Sequence, residues 1–294
     1  MQLEPGDEVL TTDHEYGSMN RVWELVCEDS GAKYVYQTVA LPATSHHDVV
    51  EQIWSGVTPR TKILFFSHIT APSALIFPVA QLVKRARDAG IIVIVDGAHA
   101  PGQVALNLEE LGADFYAGNC HKWMMAPKGS GFLYARREMQ HLLEPLIGGR
   151  AGKKATGSRF VTEHQYHGTR DASAFLAVPE AIRFMREHDW PAVSRSCHDL
   201  ACLARERTSE LTGLAPTTPN DPSWFSQLAA LRIPAEGAKD LKQRLLDQYN
   251  IEVPITGWNG QPNVRLSVQG YNTREDIEAL MKALEKLLPE GAEE

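Results

Sequence analysis

Asp96, His99 and Lys122 are the residues whose types and settings could do chemistry. Asp96 follows directly on Ile91-Ile92-Val93-Ile94-Val95, the most apolar run in the chain. That places a carboxylate at the carboxyl end of a buried strand, where open α/β sheets bind their ligands. A carboxylate buried there needs a partner, because desolvating it alone is costly. Taken by itself, Asp96 reads equally well as the N-cap of a following helix. His99 stands in Asp96-Gly97-Ala98-His99, and the Gly-Ala pair leaves room for a flat group against the backbone. Lys122 lies in the turn after another strand-like stretch, with Tyr116 before it and Trp123-Met124-Met125 after it. A lone lysine is more often a surface residue, but one drawn among apolar neighbours has its pKa lowered toward nucleophilicity. A nucleophilic amine and a buried acid at one end of a sheet suit Schiff-base chemistry.

The elements that must position these groups alternate between strand and helix. Pro5-Gly6-Asp7-Glu8 is a turn feeding a strand at Val9 to Thr12. Lys62 to Phe66 reads as a buried strand, and Val79, Leu82, Val83 and Ala86 recur with helical spacing. Gly90 ends that helix and Ile91 to Val95 is the next strand. Strands apolar on both faces, joined by helices, predict a three-layer αβα domain with a mainly parallel sheet. Asp114 to Ala117 and Gly131 to Ala135 add two short strands, and helices fill Ala172 to Leu211. From Gln227 the pattern becomes a strand, a helix at Lys239 to Tyr249, two strands and a last helix from Arg274. We therefore expect a large domain over 1–214 and a small α+β domain over 215–294, the boundary lying at the turn-rich stretch Ala215 to Ser223.

Composition narrows the function. The 294 residues carry 29 Lys+Arg against 37 Asp+Glu, a net charge of -8, with 43% hydrophobic residues. That is a globular balance, and its acidic excess argues against nucleic acid as a partner. No run approaches the roughly 18 apolar residues of a membrane helix, and the first residues lack a secretory signal. Four cysteines, Cys27, Cys120, Cys197 and Cys202, are too few and too irregular for a disulfide framework, so a cytoplasmic location is expected. His46-His47-Asp48 lacks metal-ligand spacing, and no metal site is expected.

The stretch Val95-Asp96-Gly97-Ala98-His99, then Asp114 to Lys122, then Gly129-Ser130-Gly131-Phe132-Leu133-Tyr134, resembles the core of the class V aminotransferases, fold-type I enzymes of pyridoxal 5'-phosphate (PLP). Thr12-Asp13-His14-Glu15-Tyr16-Gly17, Cys120-His121-Lys122-Trp123 and Gly168-Thr169-Arg170-Asp171 are most similar to its isopenicillin N epimerase-like branch. The resemblance implies a cofactor held by Lys122 as an aldimine, with Asp96 on the pyridine nitrogen, His99 beside the phenolic oxygen, and His121 and Asn119 at the phosphate. It implies His14 stacked on the ring, with Tyr16 a competitor for that place, and Arg265 clamping the carboxylate of a small amino-acid substrate. Lys122, Asp96 and His14 are its catalytic set. Gly168 and Thr169 would reach the phosphate of a neighbouring subunit, giving a homodimer with shared active sites.

The same resemblance implies chemistry at the alpha carbon through a quinonoid, and it leaves three outcomes open: epimerisation, transamination and C-S lysis. Desulfuration requires a nucleophilic cysteine on a mobile loop, and none of the four falls on one. In the family, the position of Met1 is preceded by a stretch with a phosphate-binding turn, so an incomplete phosphate cup is expected, together with the loss of one or more sheet strands and helices and of a substrate-facing flap. Ala71 stands where a polar residue near the ring is expected. A catalytically silent structural homologue is the alternative to an enzyme.

Overall fold

The computed structural model describes residues 2–147 and 158–288. The first half alternates strand and helix, with the expected strands and the helix ending at Gly90 joined by elements the sequence pattern did not mark: β1 (Glu8–Thr12), α1 (Gly17–Ser30), β2 (Lys33–Gln37), α2 (His46–Trp54), β3 (Thr61–Ser67), α3 (Val79–Asp88), β4 (Ile92–Gly97), α4 (Leu108–Leu111), β5 (Phe115–Asn119) and β6 (Gly131–Ala135). These strands form one sheet in the order β2-β1-β3-β4-β5-β6, parallel except where β6 runs against β5.

Side-chain alternation along the central strands gives the sheet two apolar faces. Leu10, Leu64, Phe66, Val93, Val95 and Tyr116 face one way and pack with Val49 and Ile53 of α2 and with Leu82, Val83 and Ala86 of α3. Each such aliphatic side chain, fully buried, is worth roughly 1.5–3 kcal/mol. Val9, Ile63 and Phe65 face the other way, toward Cys27 of α1. On that side an apolar groove of about 710 Å³ opens between α1 and the sheet, bordered by Trp23, Ile63, Ile94, Phe115 and Leu133. None of the candidate site residues borders it.

The second half begins with helices α5 (Arg159–His164), α6 (Ser173–Leu176), α7 (Val178–Glu187) and α8 (Trp190–Thr212). It continues through β7 (Leu228–Arg232), α9 (Leu241–Tyr249), β8 (Ile255–Trp258), β9 (Gln261–Ser267) and α10 (Arg274–Leu287). The three strands form an antiparallel sheet, β7-β9-β8, separate from the first. α8 packs on β7 and on α10, so this long helix belongs physically with the small sheet. Its buried Cys197, Ala201 and Ala204 join the same core as the covered face of the large sheet. A shared core of this kind holds the two sheets in one orientation, which matters because the candidate site draws residues from both.

Candidate active site

β1, β3, β4 and β5 are parallel, so their carboxyl ends open on one edge of the sheet. Asp96 sits there in β4, opposite Ser67 of β3 and Ala117 of β5. Its Oδ1 accepts a hydrogen bond from Ala98 N–H at 2.9 Å, while Oδ2 takes none from any described residue. Burial raises the Asp96 pKa, and the Ala98 N–H, with Lys122 whenever that amine is protonated, opposes the rise. A carboxylate with one oxygen tied down and the other free is built to receive an N–H from something absent from the protein.

Two glycines let the backbone close on this edge. A Cβ at Gly97 would lie 2.0 Å from the Tyr116 ring, which fills the space behind Asp96 and bonds His68 Nδ1 through its hydroxyl at 2.9 Å. Gly102, at φ +91°, takes a conformation that side chains resist, and a Cβ there would strike the Trp123 carbonyl at 2.6 Å. That close approach seats the loop from Cys120 to Ser130 against the turn that carries His99. The loop is closed by hydrogen bonds from Cys120 N–H to the Ser130 carbonyl and from Ala126 N–H to the Cys120 carbonyl, both at 3.1 Å.

The loop brings Lys122 Nζ to 3.3 Å from His99 Nε2, and Trp123 Nε1 donates to His99 Nδ1 at 3.1 Å. Lys122 is an exposed residue whose pKa is lowered first by partial desolvation, with the Arg265 charge assisting and Asp96 pulling the other way. Burial, Lys122 and Arg265 together hold His99 down to about 3, so its imidazole is neutral. Arg265 arrives from β9 of the small sheet. Its Nη1 donates to the Ala71 carbonyl at 2.9 Å, and its Nε is buried without a partner among the described residues. Asp96, His99, Lys122 and Arg265 thus converge within mutual electrostatic reach.

The other expected residues are placed as follows. Asn119 ends β5, and His121 beside it is oriented by the Ser130 carbonyl, 2.7 Å from its Nδ1. Gly168 and Thr169 lie exposed between α5 and α6, with Gly168 at φ +69°. His14 departs from the expectation. It is fully buried, with Nδ1 at 2.7 Å from Ser73 Oγ, Nε2 at 2.8 Å from the Val39 carbonyl, and its ring stacked on Trp258 at 4.8 Å. Both nitrogens and one face are thereby occupied, so His14 ties the β1 loop to the small sheet instead of meeting a ligand. Tyr16, two residues on, is 54% exposed and acts electrostatically on Arg265.

Glu15 between them was missed by the sequence reading. It is buried, accepting from Thr12 Oγ1 at 2.6 Å and Ser67 Oγ at 2.5 Å, and burial pushes its pKa up to about 7. Its position inside the Asp13-His14-Glu15-Tyr16 match was the only available signal. Among the described residues no cluster of His, Cys, Asp and Glu could hold a metal ion, and no helix is long and apolar enough to cross a membrane.

Comparison with known proteins places this arrangement. The profile of the aminotransferase class-V family matches residues 1–280. The chain is 36% identical to the isopenicillin N epimerase of Amycolatopsis lactamdurans over 97% of its own length and 75% of that protein's. It is 33% identical to the isopenicillin N epimerase of Streptomyces clavuligerus, over 99% and 76%. A solved structure of a C-DES mutant, with glycine covalently linked to the PLP cofactor, superposes with a TM-score of 0.77 at 19% identity, covering 97% of this chain and 75% of that one. At that identity the likeness shows the fold.

Proposed function

This chain belongs to the aminotransferase class-V family, and on that premise we propose that it is a PLP-dependent enzyme that moves the alpha proton of a small amino acid, in the manner of an isopenicillin N epimerase. The observation that carries the proposal is the convergence of Lys122, His99, Asp96 and Arg265 from two separate sheets.

The residues present fit the cofactor. The free Oδ2 of Asp96 suits a pyridine N–H, Lys122 offers an amine of lowered pKa, and His121 and Asn119 stand at the strand end where a phosphate would lie. When bound, PLP supplies an electron-withdrawing ring that acidifies the alpha carbon of an attached amino acid. Arg265, steadied by the Ala71 carbonyl, would receive the substrate carboxylate on its guanidinium, a planar group suited to two oxygens. Lys122 Nζ would hold the cofactor and, once displaced by the substrate amine, would be the base that carries the alpha proton. Asp96 would hold the ring nitrogen through its free Oδ2. Tyr16, exposed in the same loop, would be the aromatic available to the ring in place of His14. The proposal includes a homodimer in which the exposed Gly168–Thr169 turn of one copy reaches the other's phosphate.

Adding PLP and then borohydride should fix the cofactor on Lys122, as read by peptide mass mapping, and label on any other lysine would remove this reading. Incubating the loaded protein with amino acids in D₂O should then exchange the alpha proton. Inverted product indicates epimerisation, an oxo acid transamination, and a lost β-substituent lysis.

A further inference from the structure

Trp123, His99 and Lys122 form a chain of contacts whose donors and acceptors can be assigned in only one direction. An indole N–H donates and cannot accept. Trp123 Nε1 lies 3.1 Å from His99 Nδ1, so Nδ1 must present a lone pair. A neutral imidazole then carries its single N–H on Nε2. That N–H points at Lys122 Nζ, 3.3 Å away, and only a neutral amine has the lone pair to receive it. An ammonium there would set two donors against each other.

The geometry points to Trp123 as a positioning residue that fixes the Nε2–H tautomer of His99 and, through it, holds Lys122 as the uncharged, nucleophilic amine. The role rests on the proposed function of Lys122 but is written in this chain's own residues. Burial holds His99 neutral, as the relay requires. The charged groups facing Lys122 are Asp96 on β4, which favours the ammonium, and Arg265 on β9, which disfavours it. His121 is turned to the Ser130 carbonyl and takes no part. Trp123 is itself held, being buried with its carbonyl seated against Gly102. Two like-minded influences on the amine, partial desolvation and Arg265, therefore meet a third that is directional.

The experiment uses the full chain without cofactor. Trace labelling with acetic anhydride across pH, quantified by mass spectrometry at each lysine, reads the fraction of neutral amine. In the wild type Lys122 should reach its plateau at lower pH than the surface lysines. Trp123→Phe keeps the apolar bulk and removes the donor, which frees His99 to carry its proton on Nδ1 and accept from an ammonium. Lys122 labelling at neutral pH should then fall about tenfold, a shift of about one pH unit. An unmoved Lys122 midpoint overturns the relay. If Trp123→Phe does not fold, ¹⁵N shifts of His99 in the wild type decide, since a proton on Nδ1 overturns it equally. Neither result depends on where PLP attaches, so a failed relay and a failed cofactor assignment are told apart.

Discussion

Asp114 and Asp96 are both drawn into the large sheet, at opposite ends of neighbouring strands, and they are treated in opposite ways. Asp114 immediately precedes β5 at the amino end of the parallel strands and is 2% exposed. Arg136 donates to its Oδ1 through Nη2 at 2.6 Å and Nε at 3.0 Å, and Val93 N–H donates to its Oδ2 at 2.8 Å. Asp96, at the carboxyl end, has the Ala98 N–H and one oxygen left over. The first carboxylate is saturated and joins β4, β5 and the chain after β6. The second is kept short of partners, with burial raising its pKa. A saturated buried charge serves structure, and an unsaturated one at a strand's carboxyl end is available for a ligand.

Substitutions at the two positions should therefore fail differently. Asp96→Asn removes the charge opposite the ring nitrogen and should lower turnover by about 10²–10³-fold, the usual cost of losing one preorganised electrostatic partner. Thermal unfolding of the cofactor-free protein should hardly change. Asp114→Ala should do the reverse. It strands Arg136, whose side chain is 25% exposed, so the penalty sits at the low end for a broken buried pair, about 3 kcal/mol. Urea unfolding should show that loss while kcat per folded molecule stays close to wild type. A large kcat loss in Asp114→Ala, or a large stability loss in Asp96→Asn, would break the contrast.

Much of this was legible from the chain alone, for identifiable reasons. The run Ile91 to Val95 could only be a buried strand, and a lysine set among Tyr116 and Trp123 after the next strand marked the reacting edge. α1 and β2 escaped because their patterns are blurred. In α1 only Cys27 is buried while Val22, Leu25 and Val26 are exposed, and β2 is an edge strand with Lys33 and Tyr36 exposed. His14 and Tyr16 were indistinguishable in sequence, two positions apart in one loop. What separates them is Val39 and Ser73, residues 25 and 59 positions from His14, which capture its ring. The Trp123 to His99 contact spans 24 positions and leaves no local trace.

Glu15 is a third buried carboxylate and sharpens the comparison through pH. Like Asp96 it stands at the carboxyl ends of the strands, and like Asp114 it is held by hydrogen bonds, but its side-chain donors are the hydroxyls of Thr12 and Ser67 and no cation faces it among the described residues. The charge that reaches it is that of Asp96 on β4, which disfavours its ionisation. Its pKa is raised from 4.5 to about 7, so between those values the folded state holds a proton that the unfolded state has released. Stability from this group is then fully present below pH 4.5 and is lost as pH rises through about 7. The interval corresponds to roughly 3 kcal/mol, and relaxation of the Thr12 and Ser67 hydroxyls around the charge should trim it to on the order of 2 kcal/mol. Glu15→Gln keeps the shape and cannot ionise, so its stability relative to wild type should rise between pH 5 and pH 8 by that amount. Parallel pH profiles of the two proteins in urea unfolding would mean that the Glu15 carboxyl titrates alike in the folded and unfolded states, and that the carboxyl ends of these strands are no more short of positive charge than their amino ends.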